Sequence, residues 1–436
     1  MSCRLRDLLI ILTTLAVISP LVAWQSSSSK PEPADELAPV LKQNGPRYWK
    51  GNLHTHSFWS DGDDFPEVIA DWYKRHGYHF LTLSDHNVLS EGERWLNVTS
   101  DREEILKKYL ARFGTSWVEQ RPRDEGMQVR LKPLAEFRSL LEEPGRFLLI
   151  PGEEITHRYG FLPVHMNAIN LRDVIRPISG PNVAETVIAN LRQVDEQRRK
   201  TGWRMLVSLN HPNFGWGVRA EDMLAEELRF FEVFNGHPSV RNYGDKLHAG
   251  IERVWDIILA TRLGKLRMPI VYGLATDDAH MYHTYATGKS NPGRAWIMVR
   301  APYLSAEAIV RAMETGDFYA SSGVTLKDVR RKGNQFVLSI EPEAGVMYKT
   351  QFIATMQGAS LASEPVQDDD GNELKVTRIY SADVGKVVAE SASLEPTYQF
   401  TGKELYVRAK VISTRPQPNP YQKGDVEVAW TQPMVP

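Results

Sequence analysis

The sequence predicts an α/β protein, a distorted barrel of about seven β-α units over residues 46–323, followed by a small, sandwich-like all-β region over 324–436. Three observations predict it. From about residue 48 to 323, short β-branched or aromatic runs alternate with amphipathic helical stretches, the pattern of parallel strands with crossover helices. After Gly323 the runs continue without long helices between them. Histidines and acids recur at the ends of the early runs, where the loops of a parallel α/β barrel converge on one face.

At the N-terminus Arg4 and Arg6 precede an apolar run, Leu8 to Ala23, and a serine-rich polar stretch follows. That order of charge, apolar core and polar flank reads as a secretory leader over 1–24 with a linker over 25–45, so export to a periplasmic or extracellular space is expected. An uncleaved anchor is the alternative. The run is short for a bilayer span and Pro20 breaks its far end, so no stable membrane span is expected after cleavage.

The strand candidates are Tyr48 to His54, Phe80 to Ser84, Phe147 to Pro151, His165 to Leu171, Met205 to Asn210, Phe230 to Phe234, Ile270 to Ala275 and Ala295 to Val299. Helices are expected over Pro66 to His76, Val183 to Arg199, Lys246 to Leu263 and Ala306 to Glu314, the last with Ser305 as N-cap and Gly316 just past its end. The stretch from Glu91 to Arg146 exceeds a simple connection; with helical candidates Glu103 to Phe113 and Leu134 to Leu141, it is expected to form a lid. In the C-terminal region the strand candidates include Phe336 to Ile340, Gln351 to Thr355, Lys375 to Ile379, Leu405 to Val411 and Val426 to Trp430.

Composition narrows the chemistry. The 436 residues are 42% hydrophobic and 24% charged, a balance that buries a core and excludes a disordered chain. The net charge of −2 gives no basic surplus for nucleic acid. The single cysteine, Cys3, excludes an intrachain disulfide, a zinc finger, an iron-sulfur cluster and a cysteine nucleophile in the body of the protein. Any metal must be held by His, Asp and Glu.

His54-Thr55-His56 ends the first strand, and its alternation points two imidazoles to one side of an extended chain. Asp61 follows in Ser60-Asp61-Gly62, Asp85-His86 follows the second strand, Glu153-Glu154 the third, His165 opens the fourth, His211 follows the fifth, and Asp278-Ala279-His280 repeats the two-residue spacing. Imidazole nitrogen mixed with carboxylate oxygen suits zinc, manganese or iron.

In His54-Thr55-His56-Ser57 with Ser60-Asp61-Gly62, Ser84-Asp85-His86-Asn87, Pro151-Gly152-Glu153-Glu154-Ile155 and Asp278-Ala279-His280, in that order, the sequence resembles the PHP (polymerase and histidinol phosphatase) superfamily of metal-dependent phosphoesterases. The resemblance spans about residues 48 to 323; the exported leader and β tail look most like its carbaryl-hydrolase-like branch. It implies three divalent ions: one on His54, His56, Glu154 and Asp278, a second on Glu154, His165 and His211, a third on Asp61, His86 and His280. It also implies that Glu154, Asp278 and His280 are the catalytic positions. Glu154 is preferred to Glu153 because the resemblance implies a ligand glutamate directly before an apolar residue, here Ile155, and neighbours in an extended chain point opposite ways, so only one of the two can be a ligand. His165 is preferred to His157 because it begins an apolar-containing strand.

Three divalent ions against the carboxylates of Asp61, Glu154 and Asp278 leave a cationic site, suited to cleaving a small phosphoester or a carboxylic or carbamic ester with metal-activated hydroxide. Arg294, His237 and His283 are the candidate substrate contacts, with Arg219 and Arg158 as further candidates to clamp an anion. Asp85 is expected to orient His86 or its loop. The competing expectation is a non-catalytic, metal-stabilised binding or cell-surface interaction protein.

Overall fold

The computed structural model describes residues 45–123 and 126–436, so the expected leader (1–24), Cys3 and all of the expected linker except Gly45 lie outside the described residues. In chain order the first strands are β1 Arg47–Asn52, β2 Phe80–Leu81, β3 Arg94–Val98, β4 Gln120–Arg123, β5 Gly126–Leu131, β6 Leu148–Leu149, β7 Gly152–Tyr159, β8 Leu162–Ile169, β9 Leu206–Leu209, β10 Phe230–Asn235 and β11 Tyr272–Thr276. They are followed by β12 Trp296–Ala301, β13 Phe318–Ser321, β14 Leu326–Lys332, β15 Gln335–Ile340, β16 Tyr348–Met356, β17 Ser363–Glu364, β18 Ile379–Tyr380, β19 Lys386–Ser391, β20 Thr397–Gln399, β21 Glu404–Pro416 and β22 Val426–Thr431. The α-helices are α1 Pro66–Arg75, α2 Glu103–Phe113, α3 Leu134–Leu141, α4 Val183–Thr201, α5 Ile251–Ala260 and α6 Ala306–Glu314. None of the described helices is long and apolar enough to cross a membrane.

The fold is mixed α/β, but the strands do not close into one barrel sheet. A nine-stranded sheet runs β19-β16-β21-β22-β13-β12-β1-β2-β6, and a separate five-stranded sheet runs β11-β10-β9-β8-β7. Isolated bridges, Thr55 to Ala279 and His86 to Glu154, link segments at the ends of these strands. The expected all-parallel order fails at β7 and β8, which pair antiparallel from Gly152↔Ile169 to Tyr159↔Leu162. Only Gly160, at φ +61°, and Phe161 separate the two strands, and a turn that short permits an antiparallel pair but no parallel crossover. β8 with β9 and β1 with β12 are antiparallel as well.

The helices form where pattern and caps agree. In α4 the residues Val183, Val187, Leu191 and Val194, spaced by one helical turn, are buried in one cluster with Met205 and Leu209. Burial of each such side chain is worth about 1.5–3 kcal/mol. The Asn182 side chain accepts from the Glu185 N–H at its start, and Gly202 at φ +71° ends it. In α6, Ser305 caps by accepting from the Ala308 N–H.

The segment expected as a lid folds into the small β3-β5-β4 sheet with α2 and α3. Its Tyr109, Val129 and Leu131 pack with Phe58, Trp59 and Phe65, so it backs the loop that carries Asp61. Trp117 donates its indole N–H to the buried Glu67 carboxylate at 2.7 Å, and Trp95 donates to Glu93 at 2.6 Å.

Beyond residue 323 the strands make two layers. The β14-β15-β20 sheet lies over β16, β21 and β22, with Phe336, Leu338, Phe352, Val407, Ala409 and Ala429 in one shared cluster. β22 pairs with β13 through Tyr319↔Thr431, Ala320↔Trp430 and Ser321↔Ala429, so the nine-stranded sheet passes through the expected boundary at 323 without a break. A buried ion pair adds a second link. Arg408 donates from Nε and Nη2 to the two oxygens of Asp256 at 2.8 and 2.7 Å, and the Tyr406 hydroxyl donates to the same carboxylate. Asp256→Ala leaves the buried Arg408 charge with only Glu252, 3.5 Å from Nη1, and is expected to cost about 3 kcal/mol in urea unfolding. A loss below about 1 kcal/mol would show that this pair carries little of the junction.

Candidate metal centre

The site is built from residues just past strand ends. After β1 the chain stays extended, Thr55 bridging to Ala279, and the His54 and His56 rings stand on one side with centroids 5.2 Å apart. The Asp61 loop is a tight turn in which Ser60 and Gly62 both donate to the Ser57 carbonyl at 3.0 Å. A Cβ on Gly62 would stand 2.3 Å from the His56 carbonyl oxygen, so only glycine fits there. Asp85 holds this loop, accepting from the Ser57 N–H, the Ser57 hydroxyl and the Ser60 hydroxyl at 2.6–2.8 Å. It is a loop anchor, but of the Ser57–Ser60 turn and not of His86 or its own loop as expected.

Alternation along β7 separates the two glutamates. Glu153 faces away and accepts from the Ile175 N–H at 2.5 Å, whereas Glu154 faces five imidazoles. Its carboxylate oxygens lie 3.4 Å from His54 Nε2, 3.7 Å from His56 Nε2, 2.6 Å from His86 Nδ1, 3.3 Å from His165 Nδ1 and 3.2 Å from His211 Nε2. Asp278 sits at φ +48°, left-handed backbone that costs free energy for a non-glycine residue, and its Oδ1 lies 3.2 Å from His54 Nε2 and 3.3 Å from His56 Nε2. Asp61, half exposed at the mouth, lies 3.4 Å from both His86 Nε2 and His280 Nε2.

Three groups of donor atoms lie within 4.8 Å of one another: His56, Asp61, His86 and His280; His54, His56 and Asp278; and His54, Glu154 and His211. Eight of the nine residues expected as ligands therefore meet in these groups, His54 and His56 each standing in two of them, and the ninth, His165, approaches Glu154 at 3.3 Å. The residues fit divalent cations. His54 Nε2 and His56 Nε2 are buried with no hydrogen-bond partner, each facing the carboxylates of Glu154 and Asp278. Imidazole nitrogens and carboxylate oxygens that converge in one buried place call for positive charge between them, a proton or a cation.

The electrostatics agree. Burial disfavours ionisation of Glu154 and Asp278, yet the surrounding histidines hold both carboxyls well below the usual range. Burial opposes the charge on His86, but Glu154 and Asp61 overcome it and raise the imidazole to about 10; Asp278, Glu232 and Glu154 do the same for His54, well above its ordinary value. Burial pushes His56 down to about 3 and His237 down to about 4.

Glu232 is a functional residue that the sequence reading missed. Fully buried in β10, it accepts from His54 Nδ1 at 2.6 Å, from the Thr276 hydroxyl at 2.7 Å, and from the His211 N–H and the Asn235 amide at 2.8 Å. It fixes the His54 tautomer with Nε2 free toward the site. The signal was an acid inside the otherwise apolar run Phe230 to Phe234. Asn210 donates to Glu154 at 2.8 Å and Asn235 to Asp278 at 3.1 Å.

Of the expected substrate contacts, Arg294 is a correction. It is fully buried, with Nη1 donating to the Gly236 carbonyl at 2.7 Å and Nη2 to the Ala286 carbonyl at 3.0 Å, because its loop must satisfy those carbonyls away from water. Arg219 is likewise committed to Asp222 at 2.9 Å. Arg158 is exposed near the tip of the β7–β8 hairpin. His283 binds the Asp61 loop, its Nε2 lying 3.1 Å from the Asp63 carbonyl. His237 does reach the site: Nδ1 accepts from the Ser239 N–H at 3.1 Å, leaving Nε2–H as donor, and its ring centroid lies 5.3 Å from that of His280. His157 meets the Ser179 hydroxyl instead of the cluster.

No family model matches the chain, and no curated protein matches it. Among solved structures it is similar to a two-domain protein containing a predicted PHP-like metal-dependent phosphoesterase from Bacteroides vulgatus, at 16% identity over 90% of this chain and 96% of that one, with a TM-score of 0.37. It is also similar to a candidate metal-dependent phosphoesterase from Bifidobacterium adolescentis, at 14% identity over 56% of this chain and 91% of that one, with a TM-score of 0.30. Likenesses this loose transfer no residue roles.

Two outcomes are expected. Because His54 and His86 hold protons that a cation must displace, calorimetric titration of zinc into chelator-stripped protein at pH 7, in buffers of different ionisation enthalpy, should release at least one proton. Affinity should then fall as pH is lowered, about tenfold per pH unit for each displaced proton, whereas proton-neutral binding would contradict these pKa directions. Glu232→Gln should weaken metal binding by about 10–100-fold with the fold intact, measured by competition with a chromogenic chelator.

Proposed function

We propose that the chain is an exported, metal-dependent hydrolase of the PHP type that cleaves a small phosphoester or a carboxylic or carbamic ester at a trinuclear centre. One observation carries the reading: two buried imidazole nitrogens, His54 Nε2 and His56 Nε2, stand without partners against two ionised carboxylates. The ligand sets implied by the sequence resemblance draw on Asp61, His86, Glu154, His165, His211, Asp278 and His280 as well. Divalent ions bound there supply Lewis acidity and a water of lowered pKa, the two requirements of metal-assisted hydrolysis.

The remaining work falls to the chain. Glu232 holds the His54 ring in place, and Asn235 and Asn210 fix one oxygen each of Asp278 and Glu154, so the donors are organised before any ion arrives. Asp61 lies on the open side, which is therefore the entry side for substrate. His237, neutral near pH 7 and held as the Nε2–H tautomer, is placed to donate to a substrate oxygen. Export rests on the leader pattern, and the carbaryl-hydrolase-like character of the sequence is what widens the candidate bonds beyond phosphoesters.

The test is turnover of paired chromogenic substrates, an aryl phosphate, an aryl acetate and an aryl methylcarbamate, by zinc-, manganese- and iron-loaded protein. His54→Ala and Asp278→Ala should each lower kcat/KM by more than about 100-fold on whichever substrate is cleaved, and chelation should do the same reversibly. Variants that match the parent on every cleaved substrate would overturn the assignment.

A further inference from the structure

A second cavity carries chemistry that the metal centre does not use. It has a volume of about 490 Å³ and lies between the end of α1, β1, the start of β12 and the loop leading to Gly293. Its lining includes Lys50, Trp72, Tyr78, Tyr285 and Trp296, with Asn419 and Glu427 among its polar groups.

Lys50 is the unusual member. Its ammonium stands 3.8 Å from the centroid of the Trp296 ring and 4.0 Å from that of Tyr78, a cation held between two aromatic faces. Among the described residues no carboxylate lies within ion-pair distance of it. The acid whose field it feels, Asp277, is committed elsewhere: it accepts from the Tyr73 hydroxyl, the Asn52 amide and the backbone N–H groups of Gly293, Arg294 and Ala295. Burial lowers the Lys50 ammonium to about 8, which leaves it mostly charged at neutral pH.

Tyr78 supplies an independent observation. The residue is 2% exposed, and its hydroxyl has no hydrogen-bond partner. Tyr285, on the cavity wall, and Asp277 are the titratable groups that it senses. A buried hydroxyl left unpaired costs about 1–3 kcal/mol, a cost that a ligand acceptor would remove. Two donors without acceptors therefore share one cavity with flat aromatic walls. Tyr285, about half exposed, stands at the open side.

We propose that this cavity is a binding site for a small aromatic carboxylate, its anionic group received by the Lys50 ammonium and the Tyr78 hydroxyl and its ring packed against the Trp296 and Tyr285 faces. The cation and hydroxyl select an acceptor with negative charge, and the aromatic walls select a planar apolar body. The site is separate from the metal ligands and needs no ion.

The experiment is calorimetric titration of benzoate into the metal-loaded full chain, with benzyl alcohol and methyl β-glucoside as comparators. Benzoate should bind at one saturable site, at least about tenfold more tightly than either comparator. Lys50→Met, which keeps a similar apolar stem, should weaken benzoate at least about tenfold, and Tyr78→Phe about threefold or more. His54→Ala should leave benzoate binding unchanged, since the carboxylate does not sit on the metal ligands. Loss of binding in His54→Ala, equal binding by parent, Lys50→Met and Tyr78→Phe, preference for the glucoside, or no saturable benzoate binding would each overturn the proposal. Should Lys50→Met fail to fold, Tyr78→Phe decides alone, since it removes one oxygen and keeps the ring.

Discussion

A carboxylate shut away from water with five imidazoles around it is the constraint on which the rest of the structure depends. Glu154 is 1% exposed, and a buried ionised group of this kind persists only if surrounding charges and donors compensate it. Without ions, protons on His54 and His86 supply the balance; with ions, the cations take over and the protons leave. The chain is organised so that neither state leaves Glu154 alone. Backbone N–H of Glu154 donates to the Ser84 and Asp85 carbonyls, His86 bridges to it, and Asn210 adds a side-chain donor.

The same economy recurs in three dipeptides. In Asp85-His86, Glu153-Glu154 and Asp277-Asp278, one residue ties loops together and the next faces the centre. Asp85 secures the Asp61 loop, Glu153 the chain at Ile175, and Asp277 joins β1, α1 and the 293–295 turn. Alternation in extended chain makes this division possible in the first two, and the left-handed backbone at Asp278 makes it possible in the third. A scaffold built this way positions its ligands with the rigidity of the sheet instead of the freedom of a loop.

Much of this was legible before any coordinates. Helices α2, α3 and α6 begin and end at the residues expected of them, the last with its cap, and the acids and histidines at strand ends do converge. What escaped was governed by partners distant in sequence. Glu232 has no local pattern beyond being an acid in an apolar strand; its role exists only because His54 lies 178 residues away. The β7–β8 hairpin was hidden because Thr156, His157 and Arg158 are polar and show no alternation, so pairing, not propensity, makes them strand. Arg294 looked like an anion clamp because it follows a Pro-Gly turn, yet the nearby carbonyls claim it. Closure of the sheet was overread from the number of β-α units, since strands of two residues such as β2 and β6 leave little ladder to close with.

The passage of the nine-stranded sheet through residue 323 bears on how the molecule can be handled. A chain cut there would lose β22 from the flank of β13, baring a row of backbone donors and acceptors open to any passing strand, and would take Arg408 from Asp256 at the same stroke. Neither fragment would be a faithful miniature of the whole. Expression trials that trim the molecule to its histidine-bearing portion should therefore expect insoluble aggregates, and the tail is best regarded as masonry of the histidine-bearing half.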